Sequence, residues 1–158
     1  MHIATKSSKI DISSEEKVCQ LGQKFSKILN KNDFIFLYGE IGSGKTTFVR
    51  YLINSFQKNE NLKITEIPSP TFNLVYEYKT NKILIKHYDL YRLKEKREIQ
   101  NIGLFEDNSE ILTIVEWPEK IERKPKERID LYFEYKDDFK KRSLFLKGFG
   151  KWASYDFE

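Results

Sequence analysis

The segment that most limits how this chain can fold is residues 34–47, Phe-Ile-Phe-Leu-Tyr-Gly-Glu-Ile-Gly-Ser-Gly-Lys-Thr-Thr. Phe34–Tyr38 is an unbroken apolar run, the pattern of a strand buried on both faces, which occurs where helices flank a parallel sheet. Gly39-x₄-Gly44-Lys45-Thr46 follows, and then Phe48, Tyr51, Leu52 and Phe56 recur at helical spacing. Strand, glycine-rich turn and amphipathic helix in this order make a phosphate-binding loop. Glycines at 39, 42 and 44 let backbone N–H groups turn inward, and the helix N-terminus adds positive potential. The expected nucleotide contacts are Glu40, Ile41, Gly42, Ser43, Gly44, Lys45, Thr46 and Thr47. Lys45 is placed to reach β- and γ-phosphates and is a catalytic candidate, and the Thr46 hydroxyl is a ligand for Mg²⁺. Glycines alone would fit an ordinary strand-to-helix turn; the Lys-Thr pair in this setting favours the nucleotide.

The rest of the chain supplies further elements of the same kind. Ser13 with Glu16 reads as a capping box, and Val18, Leu21, Phe25, Ile28 and Leu29 predict a first helix to about Leu29. Cys19 flanks that stripe as a small packed thiol. Residues 71–78 and 83–89 alternate, with Lys79–Lys82 as a hairpin turn between them. Ile111–Val115 is a second unbroken apolar run. Ile129, Leu131, Phe133 and Tyr135 alternate, a turn follows at Asp137-Asp138, and Ser143–Leu146 reads as a last strand. Helices mixed with buried and alternating strands predict an α/β fold. The expected architecture is a three-layer P-loop NTPase-like domain with a mixed, partly antiparallel sheet, in one domain over residues 1–158.

Composition narrows the setting. A chain of 158 residues, 39% hydrophobic and 33% charged, is long enough for one core, too short for two comfortable domains, and reads as a soluble globular protein and not a disordered one. The net charge of +4 gives little support for nucleic-acid binding. A single cysteine excludes an internal disulfide and argues against a cysteine-built zinc site. No apolar run reaches membrane-spanning length and no signal-peptide core opens the chain, so the expected location is cytoplasmic, with no membrane partner.

A phosphate-binding loop needs a metal-side carboxylate at the end of another buried strand. Glu116 directly follows Ile111–Val115 and is the candidate; the apolar strand and the Pro118 turn favour that role over a strand cap. Asn30-Lys31-Asn32-Asp33 spells the guanine-reading N-K-x-D motif but precedes the loop, and no D-x-x-G follows it, so a GTPase is disfavoured. Arg92, Arg97 and the Arg123–Arg128 stretch show no lid pattern, and a small-molecule P-loop kinase stays as the alternative.

Three more strings follow GEIGSGKTT in order: Ser69-Pro70-Thr71-Phe72, His87-Tyr88-Asp89-Leu90-Tyr91-Arg92-Leu93 and Glu116-Trp117-Pro118-Glu119. Together they resemble the TsaE family, P-loop ATPases of bacterial tRNA threonylcarbamoyladenosine biosynthesis, from about Glu15 to the C-terminal strand. The resemblance implies binding of ATP and ADP with Mg²⁺ and weak hydrolysis by a protein that is monomeric alone. It implies two partners, a TsaD-type threonylcarbamoyl transferase and a TsaB-type companion protein, with tRNA met only indirectly through their complex. ATP hydrolysis would support turnover of that complex, which modifies the adenosine beside the anticodon; the chain itself would not transfer the carbamoyl group. The resemblance also places the base between Glu15 and the C-terminal strand, where Arg142 would stack on it, although both residues also read as solvated charges.

The matched residues have roles that chemistry supports. Ser69, Pro70 and Thr71 read as a switch-like loop, with Pro for stiffness and hydroxyls for metal water or γ-phosphate, or else as a plain loop before a strand. Asp89 ends an alternating strand, where a carboxylate orients metal-bound or attacking water; it is a candidate both for catalysis and for the metal through water. His87 lies on the same face two residues earlier, as a packed or hydrogen-bonding ring. Tyr91 and Arg92 support Asp89 or face a partner, Tyr91 equally fitting the core. For Trp117, lid, partner surface and core all stay open.

Overall fold

The computed structural model describes residues 5–6, 9–106 and 109–157. In chain order the elements are β1 (Thr5–Lys6), β2 (Ile10–Asp11), α1 (Glu15–Ile28), β3 (Phe34–Tyr38), α2 (Lys45–Asn59), β4 (Val75–Lys79) and β5 (Leu84–Asp89). There follow α3 (Lys96–Gln100), β6 (Ile111–Glu116), β7 (Arg128–Lys136) and β8 (Lys141–Phe149), with single 3₁₀ turns at Pro118–Lys120 and Gly150–Trp152.

All the strands join one sheet in the order β1-β8-β7-β3-β6-β5-β4, with β2 also paired to β8. β3 lies between β6 and β7, and β5 beside β6, all parallel. Antiparallel β7–β8 and β4–β5 hairpins extend it at either side, and β1 and β2 lie antiparallel on β8. The sheet is therefore mixed, as expected of this α/β chain. Burial follows that division. Every residue of β6, and all of β3 but the half-buried Tyr38, is buried, whereas β4 and β8 alternate. Two-sided burial is what removes alternation from the parallel strands.

Ile35 and Leu37 point to one face, where they meet Val18, Leu21 and Phe25 of α1 and Phe48, Leu52 and Ile53 of α2. The two helices touch closely at Gly22, where a Cβ would lie 3.0 Å from the Leu52 nitrogen. Burial of each such Leu or Phe contributes about 1.5–3 kcal/mol, so this face holds most of the core's stability. Phe34, Phe36 and Val115 point the other way, into a smaller cluster with Tyr88, Leu93, Ile99 and Ile121. The covering there is the five-residue α3, a 3₁₀ turn and loops, so the third layer is thin.

Two local expectations are corrected. Helix α1 is capped by Ser14, whose hydroxyl accepts from Lys17 N–H at 3.3 Å, because Ser13 is engaged elsewhere: its hydroxyl accepts the Arg142 N–H at 3.0 Å. Residues 71–74 are a turn, not the start of a strand. Leu74 takes a left-handed backbone (φ 66) and donates its N–H to Pro70 O at 2.7 Å, so β4 begins at Val75. The short β1, β2 and α3 were not visible as patterns, nor was the stacking of Phe157 on Phe25 and of Trp152 on Phe157. No helix among the described residues is long and apolar enough to cross a membrane.

Candidate functional site

The chain leaves β3 through Gly39, at φ 146. A side chain there would place its Cβ 2.7 Å from Ser43 Oγ and 2.8 Å from Phe133 O, so the tight turn into the loop admits only glycine. Helix α2 then starts behind Gly44 with no side-chain cap, leaving its first N–H groups for another acceptor. Ser43 Oγ is buried beside them with no hydrogen-bond partner among the described residues. Lys45 is buried too. Its Nζ donates to Gly39 O and, at 3.0 Å, to Glu40 O, and it lies 4.3 Å from the centre of the Trp117 ring. Burial holds its pKa below the usual lysine value, opposed by the nearby Glu116 and Asp89 carboxylates. Trp117 reaches over the ammonium from a left-handed backbone (φ 58).

The two candidate carboxylates are brought together by register. β5 and β6 are parallel neighbours in which Asp89 pairs with Glu116, both buried, at the carboxyl ends of the strands beside the loop. Ligands of open α/β sheets bind in that crevice. Glu116 accepts from Thr46 Oγ1, at 2.9 Å to Oε1 and 3.3 Å to Oε2, and its Oε2 lies 2.6 Å from His87 Nε2. Asp89 accepts from Thr71 Oγ1 at 2.9 Å and from Tyr91 N–H at 2.9 Å. Ser69 Oγ lies 2.8 Å from Thr71 Oγ1. Burial raises the Asp89 pKa above the ordinary carboxylate value; the Tyr91 N–H and the Thr71 hydroxyl pull it down, and the Glu116 charge pushes it up.

These groups line one cleft of about 380 Å³. It gathers Ile41, Gly42, Gly44, Lys45, Thr46 and Thr47 with Ser69, Thr71, Asp89, Glu116 and Arg142. Glu40 adds its carbonyl to Lys45, and Pro70 is buried behind the loop. Glu15 is not in the cleft lining; its carboxylate accepts from Tyr51 OH at 3.1 Å. A larger groove of about 730 Å³ lies between α3 and residues 120–123. Its lining holds no buried lysine and carboxylate pair, so the smaller cleft is the candidate site. The contacts of His87 with Glu116 and of Trp117 with Lys45 were beyond sequence reasoning. Alternation put His87 on the Asp89 face, but only the β5–β6 register identifies its partner.

The TsaE family model, described as "Threonylcarbamoyl adenosine biosynthesis protein TsaE", matches residues 12–144. The chain belongs to the TsaE family. Among its relatives, a Rickettsia bellii protein is 41% identical over 131 residues, 82% of this chain and 88% of that one. One from Nostoc sp. is 34% identical over 136 residues, 83% of this chain and 80% of that one. A Rickettsia felis protein reaches 43% over 110 residues, 70% of this chain, and there the match spans only 62% of the relative. All three carry the name "tRNA threonylcarbamoyladenosine biosynthesis protein TsaE". The crystal structure of "Bacillus subtilus YdiB" superposes with a TM-score of 0.72 over 97% of this chain and 92% of that one. At 20% identity that likeness establishes a shared fold.

Proposed function

We propose that this TsaE-family chain binds ATP with Mg²⁺, hydrolyses it to ADP and phosphate, and thereby supports tRNA threonylcarbamoyladenosine biosynthesis in the cytoplasm. It would act as the accessory ATPase of a TsaD-type transferase and its TsaB-type companion. The observation that carries this reading is the convergence, in one cleft, of an uncapped helix N-terminus, buried Lys45 and the in-register pair Asp89 and Glu116. The donors fit the ion as well as the nucleotide: Mg²⁺ takes hard oxygens, one or two carboxylates together with phosphate oxygens, and the Thr46 hydroxyl bonded to Glu116 is such a set. Bound there, Mg²⁺ would neutralise charge on the β- and γ-phosphate oxygens.

The chain's own residues would do the remainder. Backbone N–H groups of the loop and of the first turn of α2 orient the phosphates, and Lys45 transfers its ammonium from the loop carbonyls to them. Thr46 and Glu116 would hold the metal. Asp89 orients metal-bound or attacking water, and its raised pKa suits an acceptor of a proton at that atom. Ser69 and Thr71 link it to the exposed loop before β4. Arg142 faces the same cleft from β8, where it would stack on adenine.

The test is product formed over several turnovers by a reconstituted TsaD- and TsaB-type pair with tRNA, with and without this protein. Wild type should stimulate modification, and Lys45→Ala should lower it at least about tenfold, ~1.4 kcal/mol of transition-state stabilisation. No stimulation by wild type would refute the pathway role, and full stimulation by Lys45→Ala would refute the role of ATP.

A further inference from the structure

The Glu116 side chain is flexible by nature, with three rotatable bonds, yet a metal site demands that its oxygens stay put. Within the site, Thr46 supplies only part of that constraint. Its single hydroxyl hydrogen is shared between both carboxylate oxygens, at 2.9 and 3.3 Å, one donor against two acceptors. In the proposed function the Thr46 oxygen would offer a lone pair to the metal while its O–H still donates to Glu116, so a second donor is needed to complete the hold.

We infer that His87 is the positioning residue of this site, holding the Glu116 carboxylate in the orientation that serves the metal. The inference rests on the metal-holding role of Glu116 proposed above. Nε2 of His87 lies 2.6 Å from Oε2, with the ring fully buried and the carboxylate 2% exposed. At that depth no water competes for the bond, and hydrogen bonds of buried groups are strengthened by the low local dielectric. Nδ1 is buried with no partner among the described residues, so Glu116 is the ring's hydrogen-bonding contact and the hydrogen sits on Nε2. A residue kept only for packing between apolar neighbours would carry no such orphaned nitrogen; an imidazole here makes sense through its one N–H. The strand geometry supplies the rest. His87 pairs in register with Ile114, two residues before Glu116 on β6, so the ring reaches along the sheet face to the carboxylate, which Thr46 of α2 also meets.

The experiment measures ATP affinity by calorimetry, once with EDTA and once with Mg²⁺, for wild type, His87→Leu, His87→Gln and His87→Asn. Each variant's melting curve is recorded beside it. Gln places an amide N–H close to where Nε2–H sits, whereas Asn is too short to reach. Affinity in EDTA should be unchanged throughout, because loop backbone supplies the phosphate contacts. The gain in affinity on adding Mg²⁺ should fall about tenfold in His87→Leu and His87→Asn and stay within about threefold of wild type in His87→Gln. If His87→Leu does not fold, the Gln and Asn pair carries the comparison alone. Equal Mg²⁺ gains in wild type, Leu and Asn would overturn the inference and leave His87 a packing residue. A wild type with no Mg²⁺ gain would overturn the metal role of Glu116 itself, and a fall in EDTA affinity matching that in Mg²⁺ would show a general distortion instead of positioning.

Discussion

Glu116 and Asp89 stand side by side, in register on adjoining strands and facing the same cleft, yet the protein holds them in opposite ways. Glu116 is gripped from within: by a fully buried histidine on β5 and by a hydroxyl of the first turn of α2. Asp89 is gripped from outside: by Thr71, in turn beside the exposed Ser69, and by the backbone of the exposed Tyr91. A displacement of residues 69–71 therefore reaches Asp89 directly and reaches Glu116 only through the core. Neighbouring carboxylates of one site thus differ in what can move them. The inner one suits a fixed ligand, and the outer one suits a group whose position depends on what the loop touches.

The largest effect expected from this difference is on Glu116→Gln. If Glu116 serves the metal as proposed, losing its charge should lower ATP hydrolysis about 100-fold while ATP binding in EDTA persists. Steady-state phosphate release and calorimetry check the two halves, and retained hydrolysis would remove Glu116 from the metal. A smaller effect is expected at the loop. Thr71→Val keeps shape and deletes the hydroxyl that Asp89 accepts, so hydrolysis should fall about threefold to tenfold, the scale of one hydrogen bond. A loss as deep as that of Glu116→Gln would break the contrast, since the outer station would then be as indispensable as the inner one.

The smallest effect is one of stability. The Asp89 pKa is raised above its ordinary 3.8, so the folded state holds that proton more tightly than the unfolded chain. Ionised Asp89 therefore subtracts stability, nothing below about pH 4 and progressively more as pH rises through the folded pKa. Asp89→Asn, whose amide oxygen still accepts from Tyr91 N–H, should melt above wild type at pH 7, with a margin that closes as pH falls toward 4. Thermal melts across that range decide it; a margin independent of pH would mean that burial is not what perturbs this carboxyl.

How much of this was legible in the sequence depended on whether the signal was local. Phe34–Tyr38, the loop and Ile111–Val115 each announce themselves within a few residues, and they fixed the parallel centre of the sheet and the place of Lys45, Thr46 and Glu116. Asp89 was legible as a strand end but its pairing with Glu116 was not, because register between β5 and β6 is a property of two distant segments. The same reason hid the His87–Glu116 bond and the Trp117–Lys45 contact. The capping box at Ser13 misled for a related reason: its hydroxyl is claimed by the backbone of Arg142, 129 residues away. Thr71–Leu74 alternates like a strand, yet the N–H of Leu74 closes a turn on Pro70 O, a preference that alternation does not encode.

Lys45 carries one more consequence. Its ammonium already has company, two carbonyls of its own loop and the face of an indole. On the proposed function, an arriving phosphate would have to win the lysine from these built-in rivals. Measured affinity is then the difference between two embraces of one cation. On the proposed function, the loop's self-contact would weaken the hold on ATP and ADP alike, because either must displace the same two carbonyls.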